Sequence, residues 1–81
     1  MNAAQCKMAR AALDLGVRDL AKLAAVSPDT VARLERGELL RERTVSAIRA
    51  AFETAGVEFI AENGGGAGVR LRKAPRGESG T

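Results

Sequence analysis

Side chains that could carry out catalysis are few and isolated in this sequence. It has no histidine and a single cysteine, Cys6, with no candidate base placed to activate it. The carboxylates alternate with basic residues and do not show the ligand spacing of a metal site. We therefore expect a protein that is not an enzyme and that needs no cofactor. A lone thiol is most often a small buried apolar side chain, and we expect this role for Cys6.

The basic residues are distributed unevenly along the 81 residues. The net charge is +3, but acidic and basic side chains balance in residues 1–62, so the excess comes from residues 70–78. The high isoelectric point therefore belongs to the C-terminal segment and does not by itself predict a nucleic-acid partner. Any such prediction must rest on the pattern of residues 17–36.

Apolar residues at spacings of three and four predict four short helices in the first 56 residues. The predicted spans are 2–15, 17–24, 28–36 and 43–55. Ser27 is a favourable N-cap and Pro28 a favourable first helical residue, so the start of the third helix is the best-defined boundary. Thr44 is the candidate N-cap of the fourth helix. The clearest apolar stripe belongs to that helix and consists of Val45, Ile48, Phe52 and Ala55.

Residues 17–36 resemble the helix-turn-helix of the Cro and lambda-repressor-like (Xre-type) family. The small Ala21, the turn residue Ala25 and the inward-facing Val31 and Leu34 stand at the positions that this motif requires. The run VSPDTVARLERG at 26–37 is similar to the family's recognition helix, which ends in Glu-x-Gly. The resemblance covers residues 5–56. It implies a lambda-repressor-like bundle of four to five short helices that binds a two-fold operator as a dimer, with the helix at 28–36 in the major groove.

The resemblance also implies which residues would contact DNA. Those nearest the base edges would be Pro28, Asp29, Ala32 and Arg33. Those nearer phosphates would be Ser27, Thr30 and Arg36, and the loop positions that touch the backbone would be Arg41 and Arg43. Alternatives remain for the charged members. Asp29 could have no role beyond a favourable interaction with the helix dipole, and Arg33 could be solvated. Glu38 and Glu42 could neutralise Arg41 and Arg43.

Two further positions follow from the resemblance. Relatives pair an Arg on the first helix with a Glu near the end of the third, which implies a structural pair between Arg10 and Glu35. Ala25 stands where relatives usually have a turn glycine. If this position is left-handed, the alanine costs up to about 1 kcal/mol.

The sequence changes character after Gly56. Residues 57–60 are short and β-prone, and residues 69–72 alternate apolar and basic, so 57–72 predict a β-hairpin and a possible dimerisation element. The run NGGGAG at 63–68 suits its turn. It lacks the following helix and the Gly-Lys-Ser/Thr of a phosphate-binding loop. Residues 73–81 are polar, with Pro and Gly, and we expect a disordered basic tail.

The most consistent hypothesis is a sequence-specific, DNA-binding transcriptional regulator of bacterial type, with residues 1–56 as the DNA-binding domain. Its partners would be double-stranded DNA and a second copy of the chain. The alternative is a protein-interaction module on the same scaffold, antitoxin-like or an antiactivator, that uses the hairpin with Leu39 and Leu40. No apolar run is long enough to span a membrane. We expect a cytoplasmic, nucleoid-associated protein.

Overall fold

Helices come first along the chain and a single hairpin follows them. The computed structural model describes residues 1–72, and the predicted tail at 73–81 lies outside this range. The elements are α1 Ala3–Leu13, α2 Val17–Ala24, α3 Pro28–Glu35, α4 Glu42–Thr54, β1 Val57–Ile60 and β2 Gly68–Leu71. The predicted class, all-α with a small β addition, is confirmed. Within residues 1–72 no helix is long and apolar enough to cross a membrane.

The core is built mostly from small and branched side chains, with one phenylalanine, and every helix contributes to it. Its largest fully buried members are Phe52, Leu20, Ile48 and Val31. Cys6 is also fully buried, in agreement with the role expected for it. The prediction that Ala55 belongs to the buried stripe of α4 is wrong. Ala55 follows the end of the helix and is exposed, and Ala51 packs against the core instead.

The bounds of α2 and the start of α3 are as predicted, and the other helix ends differ from the predicted ones by one or two residues. The caps explain several of these differences. The Asn2 side chain caps α1, and α1 ends at a left-handed Asp14 (φ 56°) before Gly16 is reached. Gly16 instead precedes α2 and donates its amide to the Asp19 carboxylate at 2.9 Å. The prediction that Thr44 caps α4 is wrong. The helix begins at Glu42, so the Thr44 amide already bonds to the Arg41 carbonyl at 3.0 Å.

The hairpin belongs to the same core as the helices. β1 and β2 pair antiparallel, from Val57 opposite Leu71 to Ile60 opposite Gly68. Val57 is only 1% exposed. The rings of Phe59 and Phe52 meet edge to face at 6.0 Å. The glycine-rich segment forms the turn between the strands, as predicted.

A buried glutamine on α1 also holds the hairpin. The Gln5 side chain is in the core region, and its Nε2 donates to the carbonyl of Ile60 at 3.1 Å and to that of Gly68 at 3.0 Å. These carbonyls lie at the turn end of the two strands. Because both bonds come from one α1 residue, they fix the hairpin's position against the helices.

Candidate nucleic-acid interface

The turn between α2 and α3 is tight and left-handed. Ala25 has φ 57° and ψ 43°, and the next amide, that of Val26, donates to the Ala21 carbonyl at 3.0 Å. Ala21 is 3% exposed, and its small side chain fits the closely packed region between the two helices. An alanine in this conformation lacks the freedom of glycine, so the turn carries a small strain of about 1 kcal/mol.

Two hydroxyl side chains lie at the N-terminal end of α3. The Ser27 Oγ accepts from the Thr30 amide at 3.1 Å, and the two hydroxyl oxygens lie 2.8 Å apart. Pro28 follows at the first helical position, where its missing amide donor has no intrahelical partner to lose. One hydroxyl proton is used between Ser27 and Thr30. The other remains free to donate outwards, which suits a phosphate oxygen.

The two sides of α3 differ sharply. Val31 and Leu34 are buried in the core. The residues expected near DNA lie on the other sides: Ser27, Pro28, Asp29 and Arg36 are exposed, and Thr30, Ala32 and Arg33 are half-buried. The outer surface of α3 is therefore accessible along its whole length.

A partly buried ion pair holds the C-terminal end of α3 on α1. Arg10 donates to both carboxylate oxygens of Glu35 at 2.8 Å and to the Leu15 carbonyl at 3.1 Å. The Cys6 thiol donates to Glu35 at 3.2 Å. The Arg10 hydrogen bonds lower the pKa of Glu35. Burial, followed by the Glu35 contact, raises the pKa of Cys6 to about 12, so the thiol stays protonated. The expected Arg10–Glu35 pair is present and joins α1 to α3.

Glu38 contacts Arg33 of α3 and Arg36, the C-cap residue that follows this helix. Arg33 donates through Nε to Glu38 Oε1 at 2.9 Å, and Arg36 donates through Nη2 to Oε2 at 2.8 Å. These bonds, first from Arg33 and then from Arg36, lower the pKa of Glu38. Glu38 therefore forms its ion pairs with Arg33 and Arg36 and not with Arg41 or Arg43. In residues 1–72 neither Arg41 nor Arg43 forms an ion pair, with Glu42 or with any other residue.

A groove of about 340 Å³ runs between α3 and the start of α4. It brings together three of the expected DNA contacts, Thr30, Arg33 and Arg41, with Thr44. Arg41 is the N-cap residue of α4, and no side chain caps that helix end. Arg43 is exposed but does not line this groove.

A second groove lies between α2 and the start of α3. Its volume is about 530 Å³, and its lining includes the basic Arg18 and Lys22, the acidic Asp19, and Pro28. Arg18 and Lys22 were not in the predicted DNA-binding set. They are exposed and, within residues 1–72, form no ion pair. Two basic residues four apart on the helix that precedes the turn are the sequence signal that could have identified them.

The exposed side chains around α3 offer hydrogen-bond donors that carry positive charge. Over residues 1–72 no group of three or more His, Cys, Asp or Glu side chains could hold a metal ion. Basic residues border α3 on both sides, in the two grooves described above. Comparison of the sequence with models of known protein families finds no match, and comparison with curated proteins finds none either.

Proposed function

We propose that the protein is a sequence-specific DNA-binding regulator similar to the Cro and lambda-repressor-like family, with α3 in the major groove. One observation supports this most. The accessible side of α3 lies between two grooves whose basic residues, Arg18 and Lys22 on one side and Arg41 on the other, have no ion-pair partner in residues 1–72. A helix with positive charge on both flanks suits a DNA groove with phosphates on both rims.

We also infer that the protein binds as a dimer. A single α3 offers few side chains that can discriminate bases, so two half-sites would be needed for useful specificity. The edge of β2 that faces away from β1 pairs with no strand of residues 1–72. Antiparallel pairing of β2 with β2 of a second copy would join two protomers through backbone hydrogen bonds.

Selection of bound duplexes from a random pool tests the proposal directly. We expect enrichment of a two-fold sequence, and Arg33→Ala should lose affinity for it while its thermal unfolding stays unchanged. Arg49→Ala is the matched control, since it removes the same charge from α4 beside the hairpin. A pool without enrichment, or equal affinities for the wild-type protein and Arg33→Ala, would refute the proposed role of α3.

A protein-interaction module is the second candidate, and one observation favours it. Leu39 is 97% exposed and borders a groove of about 400 Å³ whose apolar lining includes Met1, Leu34, Leu40 and Val45. A salt titration separates the two functions. Binding to DNA through several phosphates weakens steeply and linearly in a log–log plot, whereas an apolar protein contact is far less sensitive.

A further inference from the structure

The position of Glu38 is fixed by the backbone at the end of α3. Gly37 is left-handed (φ 88°) and donates its amide to the Leu34 carbonyl at 2.9 Å, and the Glu38 amide donates to the Arg33 carbonyl at 3.0 Å. This pair of bonds is the Schellman arrangement that reverses the chain after a helix. The reversal brings the Glu38 side chain back onto the outer surface of α3.

A carboxylate is unfavourable there for the helix itself. Carbonyl groups at the C-terminal end of α3 give it partial negative charge, which repels an acidic side chain. Glu38 is held instead by the guanidinium groups of Arg33 and Arg36, at 2.9 Å and 2.8 Å. Its two oxygens therefore occupy donors that could otherwise bind oxygen atoms of DNA.

We propose that Glu38 is an internal competitor of DNA. In the free protein it holds Arg33 and Arg36, and a duplex binds them only after its own acceptor oxygens replace the Glu38 carboxylate. This inference rests on the proposed DNA binding and adds a residue that limits affinity. A carboxylate and a phosphate present similar anionic oxygens to arginine, so the exchange conserves the number of charge-assisted hydrogen bonds.

The exchange has a measurable cost. While Glu38 stays near the complex, it repels phosphate and offsets one of the two positive charges. Its removal should therefore raise affinity for duplexes of selected and of scrambled sequence, because phosphates are the same in both. The effect should be largest at low salt, where exposed charges are least screened.

Glu38→Gln is the variant that tests the competitor. It should bind both duplexes about three- to tenfold more tightly than the wild-type protein at low salt, with a log–log salt slope steeper by about one. Glu53→Gln is the control, because it removes an equal charge from an exposed pair on α4. If Glu38→Gln gains no more affinity than Glu53→Gln, the inference is wrong.

A second probe separates this inference from the proposed function. Inorganic pyrophosphate can be titrated into each protein while the Nε–Hε signals of Arg33 and Arg36 are followed by NMR. Shifts of both signals that need less pyrophosphate in Glu38→Gln than in wild type show that Glu38 competes with phosphate anions for the two arginines, even if no duplex is bound. In that case only the proposed DNA binding fails. Equal titrations in the two proteins overturn the competitor.

Discussion

Two carboxylates near the C-terminal end of α3 form its side-chain ion pairs, one on the inner side of the helix and one on the outer side. Glu35 joins α3 to α1 from the inside, with its side chain 10% exposed, and Glu38 contacts the arginines on the outside, with its side chain 42% exposed. The same residue type therefore has two different roles, because burial strengthens a charge interaction and solvent weakens it. The first carboxylate should govern stability and the second should govern binding.

Replacement of the inner carboxylate should destabilise the fold. Glu35→Gln leaves the Arg10 guanidinium, 24% exposed, without its anion, and we expect a loss of about 2–3 kcal/mol in the free energy of unfolding. Urea denaturation measures it. Glu53→Gln, which breaks an exposed pair with Arg49, should cost less than about 0.5 kcal/mol. Equal losses in the two variants would show that the partly buried pair stabilises the fold no more than an exposed one.

The stability contributed by Glu35 should depend on pH in one direction. Arg10 lowers the pKa of Glu35 in the folded protein below its ordinary value of 4.5, so folding favours the ionised form. The contribution is complete above that ordinary value and is lost as the pH falls through the folded pKa. The difference in unfolding free energy between wild type and Glu35→Gln should therefore shrink below about pH 4.5. A constant difference down to pH 2 would contradict the assigned ionisation.

At the scale of elements, Gln5 is the residue through which α1 forms side-chain hydrogen bonds to the hairpin. Its Oε1 accepts from the Asn2 amide at 2.9 Å, and its Nε2 donates to the hairpin. Gln5→Glu keeps the accepting oxygen and loses the donor. We expect a loss of about 1–3 kcal/mol and faster amide hydrogen exchange in β1 and β2.

Asn2→Ala is the matched control for that variant. It removes only the cap of α1, in which the Asn2 oxygen accepts from the Gln5 amide at 2.8 Å, and should cost about 1 kcal/mol. Exchange in the hairpin should then rise no more than exchange elsewhere. If both variants open the hairpin equally, Gln5 does not anchor it.

The α2–α3 turn offers a test in the stabilising direction. Ala25 and Asp14 are the two non-glycine residues with positive φ in residues 1–72, at 57° and 56°. Ala25→Gly should raise the unfolding free energy by up to about 1 kcal/mol because glycine adopts this conformation without steric cost. Asp14→Gly should gain less, since aspartate tolerates it better. Thermal unfolding measures both, and a loss of stability in Ala25→Gly would contradict the left-handed turn.

Local signals made parts of these elements predictable. Ser27 with Pro28 predicted the start of α3, and the spacing of Ile48 and Phe52 predicted the buried side of α4. The roles of Gln5 and Glu38 were not predictable in this way. Gln5 contacts residues 55 and 63 positions away, and Glu38 reaches Arg33 only because Gly37 reverses the chain. Propensity and periodicity describe residues that are close together within one element. They carry no information about contacts between residues of different elements.

At the scale of the whole molecule, the hairpin stabilises the fold of the protomer in addition to its proposed role in a dimer. Val57 is buried and Phe59 contacts Phe52. A chain cut at Gly56 would therefore expose Phe52, and its mass in sedimentation would report on folding as much as on association. The dimer proposal needs a change that alters only the free edge of β2.

Leu71 allows such a change. The Arg72 amide donates to the Gly56 carbonyl, and inward and outward amides alternate along an antiparallel strand, so the Leu71 amide points away from β1. Leu71→Pro removes that outward donor and keeps the bonds between β1 and β2. We expect it to sediment as a monomer under conditions in which the wild-type protein is a dimer, and to lose affinity for a two-fold site.

Leu71→Ala completes the test. It removes the side chain, which is 51% exposed, but retains the amide, so pairing of β2 with a second β2 should persist. A dimeric Leu71→Ala beside a monomeric Leu71→Pro identifies backbone pairing as the contact between protomers. If both variants become monomers, side-chain packing holds the dimer instead. If Leu71→Pro stays dimeric, the β2 edge is not the interface, and the two copies of α3 must be related through another surface.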